Sequence, residues 1–244
     1  PVATPASTPT LYAKASRVVS DWLPVAKRRK ILAYGIVAAV MAILIGTATW
    51  WTGRPKEING VSAAMQKQLE EGLVAYYPFN GNANDESGNG NDGEVKGATS
   101  TADRHGKKDS AYSFDGTDDY INLGNDDGFN FGTDDFTFSL WFNLNRPQID
   151  KYLIGKYNPP YAPSYGIGLG HSNEGYANIR ANGYREIRGN VSLPDGKWHH
   201  MVVAYDRDSN MTMYVDGSYE ASDTITSDQG AISNAINLYI GKVH

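Results

Sequence analysis

Phe136-Thr-Phe-Ser-Leu-Trp-Phe142 carries the clearest strand pattern in this chain. Large apolar side chains occupy every second position, so Phe136, Phe138, Leu140 and Phe142 share one face of an extended segment. The intervening side chains, together with Asn143, occupy the other face. Alternation with a period of two is typical of a strand with one buried face. This stretch therefore predicts a strand in a sheet that covers an apolar core.

The same alternation recurs on both sides of this stretch, from Gly72 to the end of the sequence, with clusters of Gly, Asn, Asp and Pro between the runs. Many short alternating runs without a convincing helix predict an all-β sandwich of antiparallel sheets. The predicted strands are Leu73–Phe79, Glu94–Ala98, Ala111–Phe114, Tyr120–Leu123, Phe136–Leu144, Tyr152–Tyr157, Tyr165–Leu169, Tyr176–Ala181, Glu186–Val191, Trp198–Tyr205, Met211–Val215 and Ile236–Ile240.

The segment from Ile31 to Trp51 has a different character, since its 21 residues include no charged side chain. That length matches the hydrocarbon thickness of a bilayer, and more basic residues precede it than follow it. We predict a single transmembrane helix with a cytoplasmic N-terminus; a cleaved signal peptide and a buried helix of a soluble core are weaker alternatives. The residues predicted at the membrane interfaces are Trp22, Lys27, Arg28, Arg29, Lys30, Trp50 and Trp51.

Residues 1–30 are predicted to form a cytoplasmic tail that contains a short basic amphipathic helix after Thr10. This helix either lies in the inner membrane interface or docks on a partner through Trp22 and its neighbours. Residues 52–71 are predicted to form a linker with a short helix, and residues 72–244 the β domain. The β domain should therefore lie close to the bilayer.

Charge is distributed unevenly: residues 57–244 hold 14 Lys/Arg against 26 Asp/Glu, within a chain of net charge −5. An acidic outer domain argues against nucleic acid as a partner, because phosphates require a basic surface. The chain contains no cysteine, so it forms no disulfide, and this favours a bacterial periplasm over a eukaryotic secretory route. We predict the bacterial inner membrane as the location, with the C-terminal domain in the periplasm.

Several ordered motifs resemble the laminin G-like domains of the concanavalin A-like lectin/glucanase superfamily. They are the opening stretch 72–93 (GLVAYYPFNGNANDESGNGNDG), Phe114–Ile121, Phe136–Phe142, Gly196–Val203, Met213–Gly217 and Leu238–Gly241. The resemblance implies a concanavalin A-like jelly-roll sandwich. Domains of this type usually continue with an Ile-Asp-Asp-like strand, which does not follow here before His244. Either the sequence is truncated, or the sheet lacks a terminal strand and has an open edge that a partner strand could cover.

The family often binds calcium, and the resemblance suggests Asp85, Asn91, Asp92 and Asp119 as ligands. Carboxylate and amide oxygens in Gly-rich loops suit this ion. The alternative is that Asn and Gly serve the turns while the carboxylates are solvated. Calcium is the only cofactor predicted.

The Pro-rich loop 156–165 carries Tyr157, Tyr161 and Tyr165, which are predicted to contact a sugar or a protein; ordinary packing at the rim is the alternative. Trp141 and Trp198 lie within strand motifs and are predicted to be core residues. His199 and His200 are adjacent, so they should point to opposite faces of their strand.

No Glu-x-Asp-x-Glu triplet of the kind used by retaining glucanases of this superfamily occurs in the chain, so we predict no enzyme activity. Two functions remain. The first is an accessory or structural subunit of a larger membrane protein complex, for example a respiratory or photosynthetic one. The second is a calcium-dependent glycan binder of the cell envelope. The first predicts contacts along the N-terminal helices, and the second a ligand at the Asp-rich or Tyr-rich loops.

Overall fold

The computed structural model describes residues 71–145, 151–157 and 163–242. Within these ranges the regular elements are thirteen β-strands and one short 3-10 helix, Asp127–Phe129. The strands are β1 Glu94–Lys96, β2 Thr99–Thr101, β3 Ala111–Ser113, β4 Tyr120–Asn122, β5 Phe136–Asn143, β6 Lys151–Lys156, β7 Ser164–Leu169, β8 Glu174–Arg180, β9 Tyr184–Ser192, β10 Trp198–Tyr205, β11 Asn210–Val215, β12 Ser218–Thr224 and β13 Tyr239–Ile240.

The strands form a seven-stranded sheet in the order β1-β4-β13-β6-β7-β8-β9 and a four-stranded sheet in the order β12-β11-β10-β5. Strands β2 and β3 pair separately. Every pairing is antiparallel, as the predicted all-β sandwich requires. The long β5–β10 pairing aligns Phe136 with Tyr205 and Trp141 with His200, which fixes the face that each side chain occupies.

The core lies between the two main sheets and is rich in aromatic side chains. Phe136 stacks on Phe131 at 4.3 Å and on Tyr205 at 4.2 Å between ring centroids. Ile167 and Ile179 of the seven-stranded sheet and Met201 and Val203 of the four-stranded sheet are fully buried in the same cluster. Apolar burial of this kind is the main favourable contribution to folding.

One predicted strand is wrong: the segment Leu73–Phe79 belongs to no sheet. Its backbone groups find partners outside any sheet: the Tyr76 amide donates to Asp85 Oδ1 at 2.9 Å, and the Tyr76 carbonyl accepts from the Glu86 amide at 2.8 Å. The carbonyl of Leu73 accepts from the side-chain amide of Asn89. Phe79 then adopts a positive φ of 55°, which ends the extended run.

Two strands were not predicted, β2 and β12, and both are polar. Strand β12 (Ser-Tyr-Glu-Ala-Ser-Asp-Thr) lies at the edge of its sheet, where neither face needs to be apolar. A hairpin turn at Asp216-Gly217 connects it to β11, and both residues have positive φ. An Asp-Gly pair between two runs is a recognised hairpin signal, so the sequence did contain evidence for β12.

The predicted tail and transmembrane helix, with all their interface residues from Trp22 to Trp51, lie outside the described residues, and so does the predicted linker except for Glu71. Among the helices that the structure does describe, none is long and apolar enough to cross a membrane. Strand β13 pairs with β4 on one side and β6 on the other, so the open edge expected near the end of the sequence is not at β13.

Candidate functional site: a tyrosine face on the seven-stranded sheet

Four tyrosines lie together on the outer face of the seven-stranded sheet, and we call this surface the tyrosine face: Tyr152, Tyr157, Tyr176 and Tyr184. Tyr176 and Tyr184 alternate with inward residues such as Ile179 and Ile187, which are buried in the core. The period of two along β8 and β9 thus puts their phenol rings on the side opposite the core. Tyr152 packs against Tyr157 at 5.0 Å and Tyr176 at 6.0 Å between centroids.

Glycines in β7 make room for this packing. Gly166 and Gly168 alternate with the inward residues Tyr165 and Ile167, so they face the same side as the tyrosines. A Cβ atom on Gly166 would lie 2.7 Å from the Tyr152 ring, and one on Gly168 would lie 2.1 Å from a backbone oxygen of β6. The Tyr152 ring can lie against the sheet because no side chain stands in this position.

A chain of hydrogen bonds connects the phenols to ionised groups. Tyr184 donates to Glu186 Oε2 at 2.7 Å, so the 2.5 Å contact between the Tyr176 and Tyr184 hydroxyls is a bond donated by Tyr176. Arg188 donates to Glu186 Oε1 and to Glu174 Oε1, each at 3.1 Å. Its guanidinium also lies over the Tyr176 ring, 4.9 Å from the centroid. Fixed neighbours of this kind hold the rings in a single arrangement.

Asn178 lies beneath the phenols and is 1% exposed. Its Nδ2 group donates to the Tyr152 hydroxyl at 2.6 Å, while its Oδ1 atom is buried without a hydrogen-bond partner. Burial raises the pKa of Tyr152 to about 12, and the pKa values of Tyr176 and Tyr184 are raised for the same primary reason. The phenols therefore remain neutral at physiological pH and can both donate and accept hydrogen bonds.

Arg188 sets one positive charge against the two negative charges of Glu174 and Glu186, which both form ion pairs with it. Burial opposes ionisation of Glu174, but hydrogen bonds from its own and the Ser172 backbone amides and from Arg188 outweigh it and lower the pKa of this carboxyl. An ionised, ion-paired carboxylate cannot act as a general acid. The face offers aromatic rings, phenol hydroxyls and fixed carboxylate oxygens, which suit a ligand with apolar faces and many hydroxyl groups.

The predicted tyrosine contacts divide into three outcomes. Tyr157 lies on the tyrosine face, half-buried beside Tyr152. Tyr161 lies outside the described residues. Tyr165 was predicted as an exposed contact and this is wrong: it is 0% exposed, and its hydroxyl donates to the Phe129 carbonyl at 2.6 Å. Adjacent residues of a strand face opposite sides of the sheet, so an error of one residue in the position of β7 reverses the side that Tyr165 faces. The Pro-rich loop before β7 hides this position in the sequence.

Sequence reasoning did not identify Tyr152, Tyr176, Tyr184, Glu186 or Arg188 as site residues. A signal existed, because Tyr176-x-Asn178-x-Arg180 and Tyr184-x-Glu186-x-Arg188 place polar groups at alternate positions in neighbouring runs. These triplets lie opposite each other in the sheet, where Tyr176 pairs with Arg188 and Asn178 with Glu186.

The predicted calcium ligands fall into two clusters. Asp85 Oδ1 accepts from the Tyr76 and Ser87 amides, and its Oδ2 accepts from the Ser87 hydroxyl and the Asn91 amide. Asp92 Oδ1 accepts from the Asp85 amide at 2.8 Å. These donors occupy the Asp85 carboxylate, so as it stands it does not offer free oxygens to a cation.

Asp119 lies in a different cluster, with Asp115 and Asp118. In the described residues these three carboxylates have ligand oxygens within 4.8 Å of one another. Asp119 Oδ2 also accepts from the Asp115 amide at 2.9 Å, and exposed Asp115 accepts from Thr117. A turn accounts for these hydrogen bonds without a bound ion. Calcium binding therefore stays a prediction.

The two adjacent histidines do point to opposite faces of β10, as predicted. His199 bonds to Asp216 Oδ2 at 2.8 Å and to Asp195 Oδ1 at 3.1 Å. His200 stacks on Trp141 at 4.8 Å and bonds to Ser139 at 2.8 Å on the outer face of the four-stranded sheet. Trp141 was predicted to be a core residue, but it is half-buried on this outer face, and Trp198 is half-buried too.

The chain belongs to the concanavalin A-like lectin/glucanases superfamily. A family model with this description, Laminin_G_3, matches residues 115–243, which is more than half of the chain. No curated protein matches the chain.

Solved structures support the same fold. Domain 4 of AbnA, an extracellular arabinanase of Geobacillus stearothermophilus solved with arabinotriose, is 18% identical with a TM-score of 0.55; the match covers 69% of this chain and 82% of that one. The binding domain of Paraclostridial Mosquitocidal Protein 1 is 19% identical with a TM-score of 0.52, covering 64% and 41%. The receptor binding domain of the botulinum neurotoxin C/D mosaic serotype is 12% identical with a TM-score of 0.54, covering 71% and 44%.

The chain therefore spans less than half the length of the last two proteins. At these identities the similarity establishes the fold of a lectin-like binding domain, and the ligands named for those proteins remain theirs.

Proposed function

We propose that this protein is a non-catalytic glycan-binding module whose tyrosine face contacts neutral saccharides. The observation that carries the proposal is the continuous set of phenol rings and hydrogen-bonded carboxylates across β6, β8 and β9. Sugar rings have an apolar face that packs on aromatic rings and hydroxyl groups that bond to phenols and carboxylates. The domain of AbnA that was solved with arabinotriose shares this fold, which adds support at the level of the fold.

The balance of charge on the face favours neutral over anionic saccharides. Glu174 and Glu186 are both held by Arg188, so an incoming anion would meet two carboxylates and one guanidinium already engaged. A neutral saccharide can instead use the phenol oxygens and the outer lone pairs of the carboxylates without displacing an ion pair.

The test is calorimetric titration of the full chain with arabinotriose, xylotriose and cellotriose. We expect at least one trisaccharide to bind, and we expect Tyr176→Ala to weaken that binding by about tenfold or more. Tyr219→Ala is the matched control, since Tyr219 is 60% exposed on β12 of the other sheet. Absence of binding by all three sugars, or equal losses in both variants, would contradict the proposal.

Calcium dependence and a role as a subunit of a membrane complex were predicted from the sequence, and both stay predictions. The helices on which the second depends lie outside the described residues. Repeating the titration with calcium and with a chelator tests the first. Mass spectrometry of what co-elutes with the chain after mild detergent extraction tests the second.

A further inference from the structure

A second polar site lies between the end of β6 and the 3-10 helix, and we call it the lysine pocket. It is an open pocket of about 600 Å³ lined by Asn125, Asp127, Asn130, Ser233, Asn234 and Ala235. The Lys156 side chain lies behind this lining and is 0% exposed. Its Nζ atom donates to Oδ1 of Asn125 and, at 2.8 Å, to Oδ1 of Asn130.

The second feature of this site is the positive charge of Lys156. In the described part of the chain, its hydrogen-bond partners are neutral amide oxygens and no carboxylate forms an ion pair with it. Lysine is seldom fully buried unless it is paired, because removing an ammonium group from water is costly. Burial accordingly lowers the pKa of Lys156 to about 8. The site thus contains a buried cation whose field is free to act on the pocket in front of it.

Two amide side chains stand between the lysine and the pocket. Asn125 and Asn130 both line the pocket and both turn their Oδ1 atoms towards the ammonium group. Asn130 Nδ2 makes only long contacts, at 3.3 Å to Asn125 Oδ1 and 3.4 Å to the Asp126 carbonyl. Asn234 is fixed by bonds to the Pro163 carbonyl and from the Ile236 amide, so the lining is already ordered.

Two carboxylates belong to the same loop. Asp126 accepts from the Gly128 amide and caps the 3-10 helix, while Asp127 is exposed at the pocket rim. Solvent screens an exposed carboxylate more strongly than a buried ammonium, which is the physical reason to expect a net attraction for anions at this pocket.

We propose that the lysine pocket binds the carboxylate of an acidic sugar, with the buried Lys156 ammonium as the charge that selects it. The choice of a sugar as ligand rests on the proposed glycan-binding function. The choice of an anion rests on the lysine and its amides alone. The pocket and the tyrosine face would then take different parts of an acidic polysaccharide, a charged unit and neutral units.

The experiment compares sodium glucuronate with its uncharged methyl ester by titration of the full chain. We expect about tenfold tighter binding of glucuronate, because only the carboxylate interacts with the ammonium. Lys156→Met should remove this preference and Asp127→Asn should increase it. Lys96→Met is the matched control, since Lys96 is exposed and should have no effect. Equal affinity for acid and ester, or a preference that survives Lys156→Met, would overturn the proposal.

A pH series on the wild-type chain keeps the test decisive if Lys156→Met does not fold. Raising the pH from about 7 to about 10 removes the proton from Lys156, so the affinity for glucuronate should fall and that for the ester should not. A preference that does not change over this range overturns the proposal. Acetate that binds as tightly as glucuronate would overturn the assignment of a sugar. Tyr176→Ala should leave glucuronate binding intact, which separates failure here from failure of the tyrosine face.

Discussion

The two sheets present aromatic side chains on both of their outer faces, and the two sets are organised differently. On the tyrosine face, the rings of Tyr152, Tyr176 and Tyr184 are joined through hydroxyl groups to Asn178 and Glu186. On the four-stranded sheet, Trp141 stacks on His200 at 4.8 Å, and the Arg104 guanidinium lies over the Trp141 ring, 4.5 Å from its centroid. We call Trp141, His200 and Arg104 the tryptophan face.

The difference lies in what remains available to a ligand. His200 is buried and bonded to Ser139, and the Trp141 Nε1 atom is buried without a hydrogen-bond partner, so neither ring offers its nitrogen to a ligand. On the tyrosine face the hydrogen-bonded network reaches half-exposed Glu186 and exposed Tyr184. Aromatic content alone therefore does not mark a binding surface; the direction of the polar groups does. We therefore expect the tryptophan face to contribute mainly to stability, and the proposed function assigns recognition to the tyrosine face.

The largest effect should come from Trp141→Ala, which we expect to lower the free energy of unfolding by about 3 kcal/mol through loss of packed area and of the stack on His200. Tyr184→Ala should cost about 1 kcal/mol or less, because Tyr184 is exposed. Urea denaturation of both variants provides the measurement. Equal destabilisation would mean that the two faces do not differ in this way.

Trisaccharide affinity should respond in the opposite order. Tyr176→Ala removes a ring and the first donor of the hydroxyl chain, so we expect a loss of about tenfold or more in affinity. Tyr176→Phe keeps the ring and should lose less. Trp141→Ala, studied in conditions where it is folded, should bind as the wild type does; a comparable loss in that variant would remove the distinction between the faces.

A smaller loss of trisaccharide affinity is expected from Glu186→Gln. The new side chain still accepts from the Tyr184 hydroxyl, but it no longer forms an ion pair with Arg188. We expect a loss of about threefold in trisaccharide affinity, since one charge-assisted bond is replaced by a neutral one. Glu94→Gln is the control, because Glu94 is an exposed carboxylate paired with Lys96 away from these tyrosines. Equal trisaccharide affinities of Glu186→Gln and Glu94→Gln, measured by titration, would contradict this expectation.

The smallest effect should be on pH dependence, where the two histidines of β10 act in opposite directions. Burial lowers the pKa of His200. Burial also opposes protonation of His199, but hydrogen bonds to Asp216 and Asp195 outweigh it and raise its pKa. The stability contributed by His199 is thus present below the unfolded pKa of about 6.5 and lost as the pH rises through its folded value. That contributed by neutral His200 is lost as the pH falls below about 6.5.

Single variants should separate these contributions. In His200→Gln, the remaining His199 should make stability fall as the pH rises from about 6 to about 8. In His199→Gln, stability should fall as the pH drops from about 7 to about 5. Urea midpoints across this range measure both slopes, and slopes of the same sign in the two variants would refute the assignment.

The sequence predicts most of the fold because side-chain alternation and the family resemblance act together. Phe136–Leu144 and Trp198–Tyr205 were predicted as strands and form β5 and β10 almost over their full lengths. The prediction of a strand at Leu73–Phe79 was wrong because apolar alternation does not specify which groups accept hydrogen bonds from the backbone amides. In the structure, Asp85 accepts from the Tyr76 amide. Side-chain competition for backbone amides is a tertiary effect.

The candidate site was less accessible to sequence reasoning. Tyr157 and Tyr165 belong to one Pro-rich stretch, yet one lies on the tyrosine face and the other is buried beside Phe129. The pairing of β8 with β9 brings Tyr176 opposite Arg188, and no local pattern specifies that register. In the sequence alone, nothing distinguishes Lys156 from the other lysines. Only the fold brings two asparagine side chains to its ammonium group.

The most direct test of the central claim is hydrogen exchange of the full chain with and without the trisaccharide that binds most tightly. The account predicts slower amide exchange in peptides from β8 and β9, which carry Tyr176 and Tyr184, and unchanged exchange in peptides from β5 and β10. Protection confined to β5 and β10, or no protection in either sheet at saturating sugar, would contradict it.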